Sequence, residues 1–354
     1  MNLPTSGQGK FTAIWQATTY YERHLLKRLF EPYVVTHIVD GRHEVVLDNA
    51  ILIDAFTYSH DPAYYARFRG KNAFLVQLGD ECYELGLDSF SYFRGVFRTN
   101  WSSVFNPEHV MILPLGFTSV GISEVHTPAS ERRYAWSFIG EAGKSSRVDM
   151  VHAMSHVEPH ICYSSIPVPG FSFFDRGLHG GKRFPEEAFV RILGDSAFAP
   201  TPMGNASIES CRVYDALENG AIPIVEKRWT LDYFRGMLGD HPLPTVRSWR
   251  EARRLTEQLL KDPVRLNTLQ KQCTDWWSAY QKRLSAEIGQ FLEARSGTTD
   301  EIVPLRSFWP RVWGWQYFEL IRHHSFPALL RRISRQFGRV IGRRQWREAA
   351  RARR

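Results

Sequence analysis

Short apolar runs, separated by polar stretches with helical or loop character, set the pattern of this chain. Tyr33 to Val39, Ala50 to Ala55, Asn72 to Leu78 and Val110 to Leu113 are too short for helices and too continuous for strands with a solvated face. Such runs fit strands buried on both faces of a parallel sheet, with the intervening stretches as crossovers. Tyr134 to Gly140 reads as the first strand of a second set, followed by a glycine loop and a helix predicted from about Ser146 to Val157. Further on, a small-residue loop from Thr201 to Ser207, a helix predicted from about Ile208 to Glu218, Gly220 as its left-handed stop, and the strand Ala221 to Val225 outline a βαβ crossover. Ser248 to Leu260 and Pro263 to Leu292 carry leucine and aromatic stripes at helical spacing, and Trp276, Trp277 and Tyr280 read as core. The pattern predicts an α/β protein of two domains, residues 1–125 and 126–295, with a linker around 123–133 and an extension over 296–354.

Composition sharpens the picture in two places. The chain of 354 residues carries a net charge of +8, but eleven arginines and one glutamate lie between Arg322 and Arg354, which leaves the remainder near −2. A nucleic-acid binder carries its basic patch on the folded domain, so that class is disfavoured. In the tail, Leu329, Leu330, Ile333, Phe337, Val340 and Ile341 fall near one side and the arginines elsewhere. A basic amphipathic helix of this kind suits an anionic membrane surface; a solubilising tail or a helix docked on a partner subunit is the alternative. Cys82, Cys162, Cys211 and Cys273 are dispersed, without zinc-type spacing, and read as reduced thiols of a cytoplasmic protein. The N-terminus lacks the charged start and apolar run of a secretory signal, and no uncharged apolar run is long enough to span a bilayer.

The candidate chemistry clusters at strand ends. Gly204 permits close backbone approach, Asn205 or Ser207 can cap the helix that follows, and a helix start suits a phosphate. On that helix Glu209 and Asp215 fall among apolar positions, so they point into a crowded interface and need a ligand's hydroxyls or a partner such as Arg212. An internal Arg212–Asp215 pair on a solvated side is the bland alternative. After the strand ending at Gly140, Lys144 and Arg147 stand where a nucleotide-binding domain meets a diphosphate, or are surface charges of a helix; the P-loop spacing is absent. Asp80 and Glu81 end a strand after Gly79, where open α/β sheets bind ligands, and Asp80 can instead cap the next helix. Arg98 can contact a phosphate or an acceptor, or form a salt bridge to Asp80 or Glu81. Asp54, at the end of its own strand, has the same topological claim as Asp80.

Pro202, Gly204, Glu209, Arg212, Asp215, Ala216, Leu217, Gly220, Ile222 and Pro223 together resemble the nucleotide-sugar loop of exostosin-like glycosyltransferases, the family 47 type. That family commonly shows Glu where Asp215 stands. Gly79-Asp80-Glu81, Arg98-Thr99-Asn100-Trp101 and Pro114-Leu115-Gly116-Phe117 resemble, in the right order, motifs of its acceptor-side half. The resemblance covers roughly residues 70 to 290. It implies the GT-B architecture: two Rossmann-like domains facing across a cleft, the second holding a nucleoside-diphosphate sugar and the first a glycan or lipid-linked acceptor. It implies donor contacts at Gly140, Lys144, Arg147, Gly204, Asn205, Ser207, Glu209, Arg212 and Asp215, and a long last helix that braces the N-terminal domain. It also implies inversion at the transferred carbon, hence a base.

Glycosyl transfer needs the departing diphosphate neutralised and, for inversion, a base on the acceptor hydroxyl. No two aspartates are separated by a single residue, so no Asp-x-Asp metal motif exists in the chain. Arginine, lysine and a helix N-terminus are then expected to do that work without metal or other cofactor. Asp80 is the first candidate base and Glu81 the second. The expected protein is a bacterial-type transferase of cell-surface polysaccharide or glycoconjugate synthesis, cytoplasmic and peripheral at the inner face of the membrane. A non-catalytic sugar- or nucleotide-binding protein, or a nucleotide-sugar epimerase of the same fold, are the alternatives.

Overall fold

The computed structural model describes residues 9–17, 20–55, 61–81, 87–118, 126–143, 145–164, 185–204, 206–228, 231–298, 300, 302–306 and 322–323. Lys144 and Asn205, the tail beyond His323 and residues 123–125 of the predicted linker lie outside them.

The first half builds six parallel strands: β1 (Phe11–Trp15), β2 (Val34–Val39), β3 (Ala50–Ala55), β4 (Ala73–Leu78), β5 (Gly95–Arg98) and β6 (Val110–Ile112), in the spatial order β2-β1-β3-β4-β5-β6. The second half builds five: β7 (Tyr134–Gly140), β8 (His160–Ser164), β9 (Ser196–Thr201), β10 (Ile222–Glu226) and β11 (Thr245–Val246), in the order β11-β10-β9-β7-β8. Two parallel sheets with helical crossovers are the GT-B arrangement expected from the sequence. β3 and β4, AILIDA and AFLVQL, are buried at every position, as strands covered on both faces must be.

Side chains of the first sheet divide by the period of two. Ala13, Trp15, Ile51, Ile53, Phe74, Val76 and Phe97 face α1 (Arg23–Phe30), which contributes Leu25, Leu26, Leu29 and Phe30. On the other face, Ile14, Leu52, Leu75 and Val96 stand side by side across four strands beneath Tyr64, Tyr65 and Phe68, which belong to α2 (Pro62–Ala66) and the turn after it. Each fully buried Leu, Ile, Val or Phe is worth about 1.5–3 kcal/mol.

In the second half, α3 (Arg147–Met154), α4 (Glu186–Gly194), α5 (Arg212–Glu218), α6 (Tyr233–Leu238) and α7 (Trp249–Leu260) surround the sheet. α8 (Pro263–Arg295) then runs for 33 residues, about 50 Å, and holds both halves. Tyr33 Oη donates to Ser285 O at 2.7 Å, and Ser285 Oγ to Leu29 O at 2.8 Å. Phe291 meets Phe97 edge-on at 5.0 Å. On the other side, Trp277 Nε1 donates to Glu218 Oε1 at 2.6 Å, and Arg28 from α1 reaches the same carboxylate at 2.9 and 3.1 Å.

The sequence placed several elements to within a residue or two, and missed β1, β5, β8 and β11. It also began α5 at Ile208, whereas the helix starts at Arg212. The start of that stretch is held as a loop: Ile208 N–H donates to His323 Nδ1 at 3.1 Å, and Glu209 N–H to the Ser207 hydroxyl at 3.1 Å. The predicted cap does not form: the Cys211 N-cap makes no side-chain bond, and the Ser207 hydroxyl is taken up inside that turn.

Candidate functional site

In the second sheet the chain leaves β7 for β8 on one side and returns to β9 on the other, so β7 and β9 flank the switch point, where ligands of open α/β sheets bind at the carboxyl edge. Gly140 ends β7 there with φ +153°, and a Cβ on it would lie 2.2 Å from Arg212 Nη2. The guanidinium of Arg212 lies over the Phe138 ring at 5.1 Å, its Nε donating to Ile139 O and its Nη1 to Ser210 Oγ, both at 3.3 Å. Arg147, at the start of α3 and 4% exposed, donates through Nε to Met203 O at 3.1 Å and through Nη1 to Glu141 O at 2.9 Å. Each arginine thus uses two nitrogens to hold strand ends and the loops beside them, and its Nη2 has no partner among the described residues. Burial first, and then the neighbouring Arg212 charge, lower the Arg147 guanidinium to about 9, and burial lowers Arg212 as well. Two partly desolvated like charges side by side are relieved by an anion between them.

The loop after β9 is held by its neighbours. Gly204 N–H donates to Ser207 O at 2.8 Å, and a Cβ on Gly204 would sit 2.8 Å from Glu209 O. Ser145 Oγ donates to Gly204 O at 3.2 Å. Glu226, buried at the end of β10, accepts from Met203 N–H at 3.2 Å, from the Ser146 hydroxyl, and from Arg228 at 2.5 Å, so one carboxylate ties three segments together. Beside it a groove of about 1030 Å³ opens between α3 and α7, lined by Ser146, Arg228, Arg247 and Arg250 among others.

Residues of the first half close on this loop. Glu81 Oε2 accepts from Ala206 N–H at 3.2 Å, which brings the second candidate base onto the expected donor loop. Glu209 is enclosed: Leu115 N–H reaches it at 2.9 Å, Tyr214 Oη at 2.5 Å and Tyr233 Oη at 2.7 Å. Burial raises its carboxyl, with the Glu81 charge a smaller contribution. Asp215 accepts from Thr118 N–H and Oγ1 at 2.8 and 3.0 Å, while Arg212 turns to Ile139 and Ser210. Both carboxylates therefore face the segment 115–118 of the other half, where protein donors supply what a ligand's hydroxyls were expected to give. His323 from the extension, fully buried, accepts Ile208 N–H at 3.1 Å and packs edge-on to Tyr233 at 5.2 Å.

Asp80 is 3% exposed and paired with Arg98 at 3.4 Å, which is the loop-fixing arrangement weighed for Arg98 from sequence. Arg98 is 1% exposed and lies over Phe105 at 4.5 Å. Asp54 is fully buried and accepts from Tyr20 Oη at 3.4 Å and from Tyr65 Oη.

Sequence reasoning missed Glu22. It stands at the N-cap of α1 on the connection from β1, makes no capping bond, and is 7% exposed. Burial, and then repulsion from Glu209 and Glu81, push its carboxyl up to about 7. The available signal was FTAIW: read as a strand, it would have placed Tyr20-Tyr21-Glu22 at a carboxyl edge. Among the described residues no three His, Cys, Asp or Glu side chains come together as a metal-ligand group, and no helix is long and apolar enough to cross a membrane.

No protein-family profile matches the chain, and no curated protein sequence does. Among solved structures it is similar to an α1,3-fucosyltransferase at 10% identity and a TM-score of 0.48, over 82% of this chain and 92% of that one. It is similar to the T4 phage β-glucosyltransferase at 10% identity and a TM-score of 0.49, over 81% and 99%. AviGT4, a glycosyltransferase involved in avilamycin A biosynthesis, aligns at 12% identity and a TM-score of 0.37, over 78% and 98%.

Proposed function

We propose that this protein is a glycosyltransferase that moves a sugar from a nucleoside-diphosphate sugar to a glycan or lipid-linked acceptor, inverting the transferred carbon, in synthesis of a cell-surface polysaccharide or glycoconjugate. The observation that carries the reading is the pair Arg147 and Arg212 at the β7/β9 switch point, each with an uncommitted Nη2. A diphosphate placed there takes charge-assisted bonds from both, and the charge that grows on it during transfer is neutralised without a divalent ion. Gly140 and Gly204 let the backbone and the guanidinium come close, and Glu226 holds the loops that carry them. The exostosin-like motifs of the sequence support the same assignment.

For the base we place Glu22 first and Glu81 second. A carboxyl at about 7 is half ionised near neutrality and basic enough to draw a proton from a hydroxyl as it attacks. Asp80, held by Arg98, is assigned to fixing the strand ends that carry Glu81. The arginine-rich tail is proposed to bring the enzyme to an anionic membrane face where lipid-linked acceptors lie.

A thermal-shift panel of nucleoside-diphosphate sugars, run with excess chelator, tests the reading. One base and sugar should stabilise the chain by about 2.7 kcal/mol at a hundredfold excess over Kd. No shift with any member removes the donor site; a shift that requires manganese or magnesium removes the metal-free mechanism.

A further inference from the structure

One register step beyond the apolar row Ile14–Leu52–Leu75–Val96, the same face of the first sheet changes character. Asp54 pairs with Gln77 and Gln77 with Arg98, and Gln16 follows Trp15, the partner of Ile53. Four neighbouring strands thus end in a polar row, Gln16, Asp54, Gln77 and Arg98, with exposures of 7, 0, 1 and 1%. Asn100, two positions past Arg98, has φ +65° and is fully buried. Strands in such a sheet stand about 4.8 Å apart, so the row is a closely spaced line of side chains.

Its hydrogen bonding is incomplete in a specific way. Both amide atoms of Gln77 lack partners, as do Gln16 Oε1 and Asn100 Oδ1. A buried amide left in this state bears its full desolvation penalty, whereas an apolar residue of the same shape bears nothing of the kind. Every other inward position of β4 is apolar, so the strand accommodates an apolar side chain readily. A polar group kept unpaired in a dry position is what a site built for hydroxyl groups requires, since each hydroxyl both donates and accepts. The row lies at the carboxyl edge and leads into Gly79–Glu81 and Thr99–Trp101; the first of these segments meets the donor loop through Glu81 and Ala206, and the second meets α6 through Trp101 N–H and Tyr233 Oη. Half-buried Tyr20 stands at its margin, on a long 3.4 Å bond to Asp54 that a ligand hydroxyl can replace.

We propose that this polar row is the floor of a subsite for an uncharged sugar ring bearing adjacent hydroxyls, and that Gln77 determines specificity by bonding two of them through its amide oxygen and nitrogen. The proposal rests on the transferase reading, with the ring as the acceptor's terminal sugar.

The test uses the full chain and its Gln77→Leu variant, with methyl β-glucopyranoside and methyl β-galactopyranoside as probes in saturation-transfer NMR. The wild type should bind at least one glycoside saturably, and Gln77→Leu should weaken it by about tenfold or more, while the variant melts no lower than the wild type. Equal binding by both chains, or no binding of either glycoside up to its solubility limit, overturns the subsite. Should Gln77→Leu fold poorly, Gln77→Met takes its place and the same outcomes apply. Nucleoside-diphosphate affinity, measured on the same samples, is expected to be unchanged; its absence in the wild type would sink the transferase reading and with it the ring's role as acceptor, whereas loss of glycoside binding with nucleotide binding intact sinks the subsite alone.

Discussion

Arg147 and Glu22 are the side chains whose chemistry can be tested one at a time. Arg147 holds Met203 O and Glu141 O with two of its nitrogens, so Arg147→Ala removes a brace as well as the proposed phosphate ligand. Nucleoside-diphosphate binding by calorimetry should weaken by about 1.5–3 kcal/mol. Arg147→Lys, which keeps the charge and loses the fork, should fall between. Unchanged affinity in both variants takes Arg147 out of the site. For Glu22, folding raises the carboxyl from its ordinary 4.5 to about 7, so between those values the folded chain keeps a proton that the unfolded chain has lost. Stability therefore declines as pH rises through that window. Glu22→Gln should be more stable than wild type at pH 8, by on the order of 3 kcal/mol, and should show little gain at pH 4. If Glu22 is the base, the acid limb of the turnover profile lies near 7 and disappears in the variant. A wild-type profile in Glu22→Gln would move the role to Glu81. The place of Arg147 at the start of α3 was legible because a basic residue at a helix start after a glycine loop carries a local signature. Glu22 was not, because what perturbs it is burial first, and then Glu209 and Glu81, and the packing that buries it and both carboxylates come from parts of the chain not near it in sequence.

At the scale of elements, the site is made by strand ends and the loops that leave them. β7 can end beside Arg212 only because its last residue has no side chain: Gly140 sits at φ +153° with a guanidinium where Cβ would be. Gly140→Ala should push the Arg212 head away from the switch point and cost about 1–3 kcal/mol of stability. Nucleoside-diphosphate affinity should fall with it, and a variant that melts and binds like wild type would show that the close approach is dispensable. The loop between β9 and α5 makes the same point about legibility. Its glycine, serine and carboxylates were readable as a ligand loop. The late start of α5 was not, because His323, more than a hundred residues away in the chain, takes Ile208 N–H at the predicted start, and Leu115 N–H anchors the Glu209 side chain. In the same way β11, only two residues long, has no period of its own and exists because β10 lies beside it.

For the whole molecule, charge is divided between a body near −2 and a terminal stretch near +10 from Arg322 onward. Screening shortens from about 10 Å at 0.1 M salt to about 3 Å at 1 M, so attachment of the full chain to anionic vesicles should weaken steeply with salt. A chain ending at Pro327 keeps the His323 contact to Ile208 and should lose vesicle sedimentation while retaining nucleoside-diphosphate binding and its melting temperature. Persistent sedimentation of that shorter chain would remove the membrane role. The sequence by itself determined the class of this protein: buried runs of β-type length alternating with helical stretches leave no arrangement but parallel sheets with crossovers, and local signals marked Gly140, Arg147, Gly204 and Glu81. The tertiary structure decided which polar groups are committed and which stay available. Glu209 and Asp215 are consumed by donors from segment 115–118, Asp80 and Arg98 by one another, while Arg147 and Arg212 keep Nη2 and Gln77 keeps its whole amide. For Glu209 and Asp215 that division depends on partners 94 and 97 residues away in the chain, which no local pattern encodes, because a hydrogen bond is satisfied by whatever the fold brings within about 3 Å.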